Sequence, residues 1–195
     1  MIRDSLVYWA QNLGVDGFHF DLASILERDP NGNFHQGSEL LWELKNDPRL
    51  AGIKMIAEPW EAVGGYRLGY PSKNACWAEW NDFFRDTVRK AVRGDEGQMT
   101  ALKEAILGSP GKFGSIDKGR EFSINFITSH DGMTLNDLVS YNHKHNLENG
   151  EENRDGHNSE FSFNCGVEGP TQDAEVLELR RRKISLMHFL LQVSN

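Results

Sequence analysis

Short apolar runs of strand length alternate with helical patterns along this 195-residue chain, and that alternation narrows the possible folds more than any other feature. Residues 15–21 (VDGFHFD), 53–58 (IKMIAE), 75–80 (ACWAEW) and 122–128 (FSINFIT) are the four candidate strands. The spacing of Ile2, Leu6, Trp9, Ala10 and Leu13 predicts a helix over 2–13 with one apolar stripe, stopped by Gly14. Ser38 is placed to cap a helix over 39–46 with Leu40, Leu41 and Leu44 inward and Pro48 beyond its end. Helical patterns recur at 81–93, 97–107 and 174–191. Between them lie a turn at Asp29-Pro30-Asn31-Gly32, loops around Gly64, Gly65 and Gly69 and over 109–119, and a long polar stretch over 129–173. Strands alternating with helices predict βαβ units and a parallel sheet, and the mostly apolar run IKMIAE fits a strand covered on both faces.

Composition removes several function classes. Acidic residues outnumber basic ones by 29 to 21, for a net charge of −8, so a nucleic-acid partner is not expected. No run approaches the ~18 apolar residues of a membrane helix, and 11 Phe with 5 Trp supply enough apolar bulk for a core. Cys76 and Cys165 form no C-x-x-C pair and read as reduced, buried thiols. The N-terminus shows no signal-peptide pattern, so a cytoplasmic location is expected.

Three carboxylates, Asp21, Glu58 and Asp131, fall at or just beyond the C-terminal ends of candidate strands. In a parallel α/β barrel or an open sheet, sites are built at that edge. Acidic residues there can equally cap the next helix or turn. A pair of carboxylates is what glycoside hydrolysis requires, one ionised to attack the anomeric carbon and one protonated to release the leaving oxygen.

Local motifs decide between these readings. GVDGFHFDLAS (14–24), IAEPWEAVGGYRLGYP (56–71) and FITSHDGMTLNDLVSYNHKHN (126–146) together resemble the fourth-, fifth- and seventh-strand motifs of the α-amylase superfamily of glycoside hydrolases. AEWNDFFRDTVRK (78–90), Glu58-Pro59-Trp60 and the run from NGEENRDGHN to NCGVEGPT (149–171) are similar to its isoamylase-type glycogen-debranching branch. The resemblance covers essentially the whole chain. It implies a partial TIM (β/α)8 barrel of about four βα units, strands 4 to 7, with residues 1–195 as the central part of the catalytic domain and its N- and C-terminal portions absent. At about 49 residues per unit, eight units would need roughly 390. The isolated chain is therefore expected to lack activity.

The resemblance also implies chemistry: Asp21 as nucleophile, Glu58 as general acid/base and Asp131 as transition-state stabiliser, with His130, His19, Trp60 and Tyr66 binding substrate. Trp77 is a further aromatic candidate. The implied partner is a branched α-glucan (glycogen, amylopectin or a limit dextrin) cleaved at α-1,6 branch points with retention. No cofactor or metal is implied, nor any membrane partner, and no oligomeric state. The chain departs from the family at His19, where an Arg is expected two residues before the nucleophile. Histidine is shorter and is charged only when protonated. A catalytically impaired glucan-binding or regulatory relative, and an α-1,4-glucan hydrolase or transglycosylase, are the alternatives.

Other signals carry less. His143, His145 and His157 with Glu148, Glu151 and Glu152 resemble a zinc set only loosely. The loop beginning at Glu151 has Ser162 where an EF-hand needs its final Glu. Arg180-Arg181-Arg182-Lys183 beside Glu175 and Glu178 reads as a solvated helix face.

Overall fold

A computed structural model describes the chain except for residues 35–36, 62–63, 70–76, 115–118 and 195. Its elements in order are α1 (Ile2–Leu13), β1 (Gly17–Phe20), α2 (Glu39–Asn46), β2 (Lys54–Ala57), β3 (Ala78–Asn81), α3 (Asp82–Arg93), α4 (Met99–Ile106), α5 (Pro110–Phe113), β4 (Ser123–Asn125) and α6 (Ala174–Val193). The chain divides into two compact units, residues 1–80 with 110–124, and residues 81–109 with 125–195.

The first unit is built on a four-stranded sheet in the order β1-β2-β3-β4. β1 and β2 pair in parallel with Gly17 opposite Lys54, His19 opposite Ile56 and Phe20 opposite Ala57; β2 and β3 pair in parallel with Ile56 opposite Ala78. The α/β class and the parallel pairing expected from the alternation are therefore both present. Because strand side chains alternate, Phe18, Phe20, Met55 and Ala57 turn toward a core of Ala10, Leu41, Leu44, Leu50 and Trp77. Gly17 and His19 with Ile56 turn to the opposite face. Gly17 is needed where it stands: a Cβ there would meet the Lys54 carbonyl oxygen at 2.8 Å.

Several expectations need correction. Of the α1 stripe, Ala10 is buried and Leu6 packs on the core, whereas Ile2, Trp9 and Leu13 are exposed. Among the described residues that helix meets α2 and the turn over Pro48–Leu50, which cover one narrow side of it. Ser38 sits at the N-cap of α2 but makes no side-chain cap bond, whereas Asp47 caps the next turn by accepting from the Arg49 N–H at 3.0 Å. The fourth strand is shorter than expected, because Gly119–Phe122 forms a 3-10 turn before it. Loop 109–119 contains the short helix α5. Part of the third candidate strand, with Cys76, lies outside the described residues.

In the second unit α3 packs against α4 and α6. Its core holds Phe84, Val88, Val92, Ala105, Ile127, Met133, Leu138, Val139, Met187 and Leu190. Asn81 organises the entrance to α3. Its side-chain oxygen accepts from the Phe84 N–H at 2.9 Å, and its amide donates to Ser109 Oγ at 2.8 Å and to Asn125 Oδ1 at 3.1 Å. Residues 129–173 contain two 3-10 turns but no described α-helix or strand, as the polar composition predicts. Arg180 leaves the solvated face assigned to it. It is 6% exposed and donates to the carbonyls of Asn164 and Val167, because the loop returning to α6 presents those oxygens to it. Arg181 and Arg182 do pair with Glu178 on the surface. Cys165 is free and buried, and that burial raises its thiol pKa. No helix among the described residues is long and apolar enough to cross a membrane.

Candidate active site

In the first unit the C-terminal ends of β1 and β2 bring together Asp21, Glu58 and His19. Asp21 is the first residue past β1, with its side chain 66% exposed, and Glu58 is the first past β2, with its side chain 2% exposed. Backbone bonds lock the two strand ends: the Glu58 N–H donates to the Phe20 carbonyl at 3.1 Å. The Leu22 N–H in turn donates to Glu58 Oε2 at 2.9 Å. Leu22 adopts φ 47°, a left-handed conformation rare for a side chain of its kind; this bend aims its N–H at the glutamate.

His19 lies on the same face as Asp21, two residues along the strand. Its Nδ1 is 3.3 Å from Asp21 Oδ1 and its Nε2 is 3.7 Å from Glu58 Oε1. The ring stacks on Trp80 of β3 at 3.9 Å and 22°. His19 thus meets the two carboxylates as a bridging partner. Ligand atoms of His19, Asp21 and Glu58 all lie within 4.8 Å of one another. That donor set has the composition of a metal site, and donor atoms 3.3 and 3.7 Å apart have the spacing of ion pairs and of ligands about one ion alike.

A second ring of residues supports this arrangement. Glu61 follows Glu58 in the loop after β2, and burial opposes its charge. Bonds from Ser24 and Arg67 and the charge of Arg28 prevail and hold its carboxyl below its usual range. Arg28 Nη2 is 2.8 Å and Arg67 Nε is 3.3 Å from its oxygens. A Cβ on Gly65 would meet Glu61 Oε2 at 2.1 Å, so glycine there makes room for the carboxylate. Trp60 and Tyr66 pair across this loop, Trp60 half-buried and Tyr66 45% exposed. Trp77 is 2% exposed and packs on Phe20 at 4.3 Å, so it is a core residue and offers no platform to a ligand. Its position on the core side of β3 explains the difference.

In the second unit His130 and Asp131 follow β4 by a few residues. Both side chains are about half exposed, with His130 Nε2 3.6 Å from Asp131 Oδ1. The Asp131 N–H donates to Ser129 Oγ at 3.3 Å. They line a polar cleft of about 520 Å3 with Tyr141, His143, Lys144 and Asp155. His143, His145 and His157 do not join a metal set among the described residues. His145 instead meets Glu168 at 2.9 Å. Glu168 also accepts from the Asn142 N–H and from Asn164. Burial opposes its charge, but these bonds prevail and hold its carboxyl at about 2.

Sequence reasoning missed Trp80, Glu61 and the Leu22 N–H. Trp80 was legible in principle, since it stands two residues past Ala78, on the face that β2 presents with Glu58. The Leu22 contact depends on a backbone conformation that no residue type at that position announces.

No family model matches the chain. It is 45% identical over 196 aligned residues, spanning all of this chain, to the glycogen operon protein GlgX homolog of Mycobacterium tuberculosis. It is 43% identical over 194 residues, again its full length, to the chloroplastic isoamylase 3 of Oryza sativa. Over 174 residues, 88% of the chain, it is 48% identical to the GlgX homolog of Haemophilus influenzae. The chain spans about a quarter of the length of these relatives, 27%, 25% and 26% respectively.

Proposed function

We infer the chemistry of this site from the family to which the chain belongs, that of the GlgX-type and isoamylase-type proteins. The reading is a retaining glycoside hydrolase that cleaves α-1,6 branch points of glycogen or a related α-glucan. Residues 1–195 are taken as the central part of its (β/α)8-barrel catalytic domain, strands 4 to 7. The observation that carries it is the Asp21–Glu58 pair at neighbouring strand ends, with carboxylate oxygens within 4.8 Å of each other. Retaining glycosidases hold their two carboxyls roughly 5 Å apart, whereas inverting ones leave room for a water between them.

The two environments support distinct roles. Asp21 is exposed, so its charge is solvated and its oxygen accessible to an anomeric carbon. It attacks C1, forming a glycosyl-enzyme ester as the bond to the leaving oxygen breaks. Glu58 is buried, and burial opposes an ionised carboxyl whereas the Leu22 N–H bond supports it; the reading assigns this residue the proton donor's part. It gives its proton to the departing oxygen, then takes one from the water that cleaves the ester, which restores both carboxyls. Asp131 is assigned the stabilisation of the distorted sugar and His130 a sugar hydroxyl, on the motif they share with the family. Trp60 and Tyr66 border the Glu58 loop and offer ring faces to glucose. No step needs a cofactor. The neutral polymer expected as partner is compatible with the net charge of −8.

His19 favours a second reading, a weakened or regulatory glucan-binding relative, because an imidazole supplies positive charge to the carboxylates only when protonated. One experiment separates the two. The full-length gene product is incubated with amylopectin and with linear α-1,4-glucan, with binding and release of reducing ends both followed. Debranching predicts release of short linear chains from amylopectin alone, reduced about 10²–10⁴-fold by Glu58→Gln. Binding without release would overturn the hydrolase reading in favour of the second. Release from the linear glucan would indicate α-1,4 specificity.

A further inference from the structure

A buried ion pair in the second unit has no place in the chemistry above. Arg89, on the inner face of α3, has its side chain 5% exposed, and its partner Glu160 has its side chain 10% exposed. Arg89 Nη1 donates to Glu160 Oε2 at 2.7 Å. The same guanidinium donates through Nε and Nη2 to the Ile127 carbonyl, at 2.9 and 2.7 Å. Burial works against its charge, and Glu160 compensates in part.

The far end of Glu160 is the informative part. Gly132 has φ 70°, and a Cβ built on it would lie 2.4 Å from Glu160 Oε1 and 2.7 Å from Oε2. The carboxylate therefore occupies the space that a side chain at 132 would take. One guanidinium thus bonds the segment at Ile127 directly and, through Glu160, packs against it at Gly132. Between them lie Thr128, Ser129, His130 and Asp131, and the last two reach solvent with half-exposed side chains. Exposed side chains do not position their own backbone, whereas a buried guanidinium that forks onto a backbone carbonyl and pairs with a buried carboxylate does.

We propose that Arg89 and Glu160 are positioning residues for Asp131, a bracket that fixes both ends of residues 127–132 and so sets where the Asp131 carboxylate stands. The proposal rests on the reading of Asp131 as a group that acts on the sugar. A bracket and a merely stabilising ion pair differ in one respect. Replacing both partners of a buried pair by uncharged side chains of similar shape often restores stability, but it does not restore a bracket.

The test uses the full-length gene product and the variants E160Q, R89M, the double variant R89M/E160Q, and D131N. Hydrolysis of branched glucan is measured beside thermal unfolding and amide hydrogen exchange of residues 127–132. The bracket predicts that E160Q and the double variant lower kcat at least tenfold with KM within about threefold. It also predicts faster exchange over 127–132, even where the double variant regains the parental unfolding temperature. Recovery of kcat together with stability in the double variant would overturn it, as would unchanged exchange in E160Q. If R89M does not fold, E160Q and the double variant still decide. If D131N retains full activity, the catalytic reading of Asp131 fails, and with it any loss of kcat as a measure. The bracket then stands or falls on the exchange of residues 127–132 alone.

Discussion

Gly17→Ala is the most direct test of how the sheet sets the site. Gly17 pairs with Lys54, and an added Cβ would stand 2.8 Å from the Lys54 carbonyl oxygen and 2.9 Å from its Cβ, against 3.4 Å for ordinary contact. The obstacles are backbone and Cβ atoms, which cannot rotate aside, so the strands must separate by about 0.6 Å at this point. Overpacking of this kind costs about 1–3 kcal/mol. The same displacement, carried two residues along β1, would take His19 Nε2 from 3.7 Å to about 4.3 Å from Glu58 Oε1, beyond ion-pair reach. Misplacements approaching 1 Å cost up to about 10²-fold in rate, so a loss of about tenfold in kcat is expected. The assay pairs urea unfolding with glucan hydrolysis in the full-length protein. Gly14→Ala is the control, since Gly14 has φ 71° but open space around it. It should cost about 1 kcal/mol of stability through its backbone alone and leave kcat unchanged. Gly17→Ala within 0.5 kcal/mol of the parent, with unaltered kcat, would refute the reasoning.

Three further outcomes are expected. His19→Arg replaces a titrating partner by a permanent cation. Activity lost by the parent as pH rises should persist in the variant, and identical pH profiles would show that His19 does not govern the carboxylates. Glu168 is held at about 2 against an ordinary value of 4.5. A depressed folded value means its contribution is complete above 4.5 and is lost as pH falls toward 2. The Asn142 amide, which donates to that carboxylate, should therefore titrate in NMR spectra with a midpoint near 2, not near 4.5. Asp173→Ala removes the cap that accepts from the N–H groups of Glu175 and Val176. It should cost about 1 kcal/mol in chemical unfolding, and a change below 0.3 would place the stability of α6 in its packing alone.

What was legible in the sequence was whatever depends on periodicity and chemical type. The span of α3, the Gly14 stop and the parallel pairing of β1 with β2 follow from patterns of 3.6 and 2 residues and from punctuation. Asp21 and Glu58 could be placed at strand ends because the strand-length runs over 15–21 and 53–58 stop at them. Less legible were features that depend on what lies across space. Trp77 and Trp80 are both tryptophans in one candidate strand, yet one is core and one backs His19, and only the register decides which. Arg180 and Arg182 belong to one charged run, but the carbonyls of Asn164 and Val167 draw the first inward. The Arg89–Glu160 pair joins residues 71 positions apart, and no local pattern marks either partner.

The bond from the Leu22 N–H to Glu58 has a consequence for how errors combine in the site. Leu22 is peptide-linked to Asp21, so the Glu58 carboxylate is tied to the main chain one residue past Asp21, not only to its own strand. A thermal or mutational shift of the β1 end carries both carboxylates together, and their separation is disturbed less than their common position. The distance between the two carboxylates is thereby buffered, and under the proposed function that is the distance on which retention would depend, while the placement of the pair against a sugar would be left to the loops. On that reading, substitutions in those loops would alter which linkage is presented without altering the stereochemical outcome of cleavage.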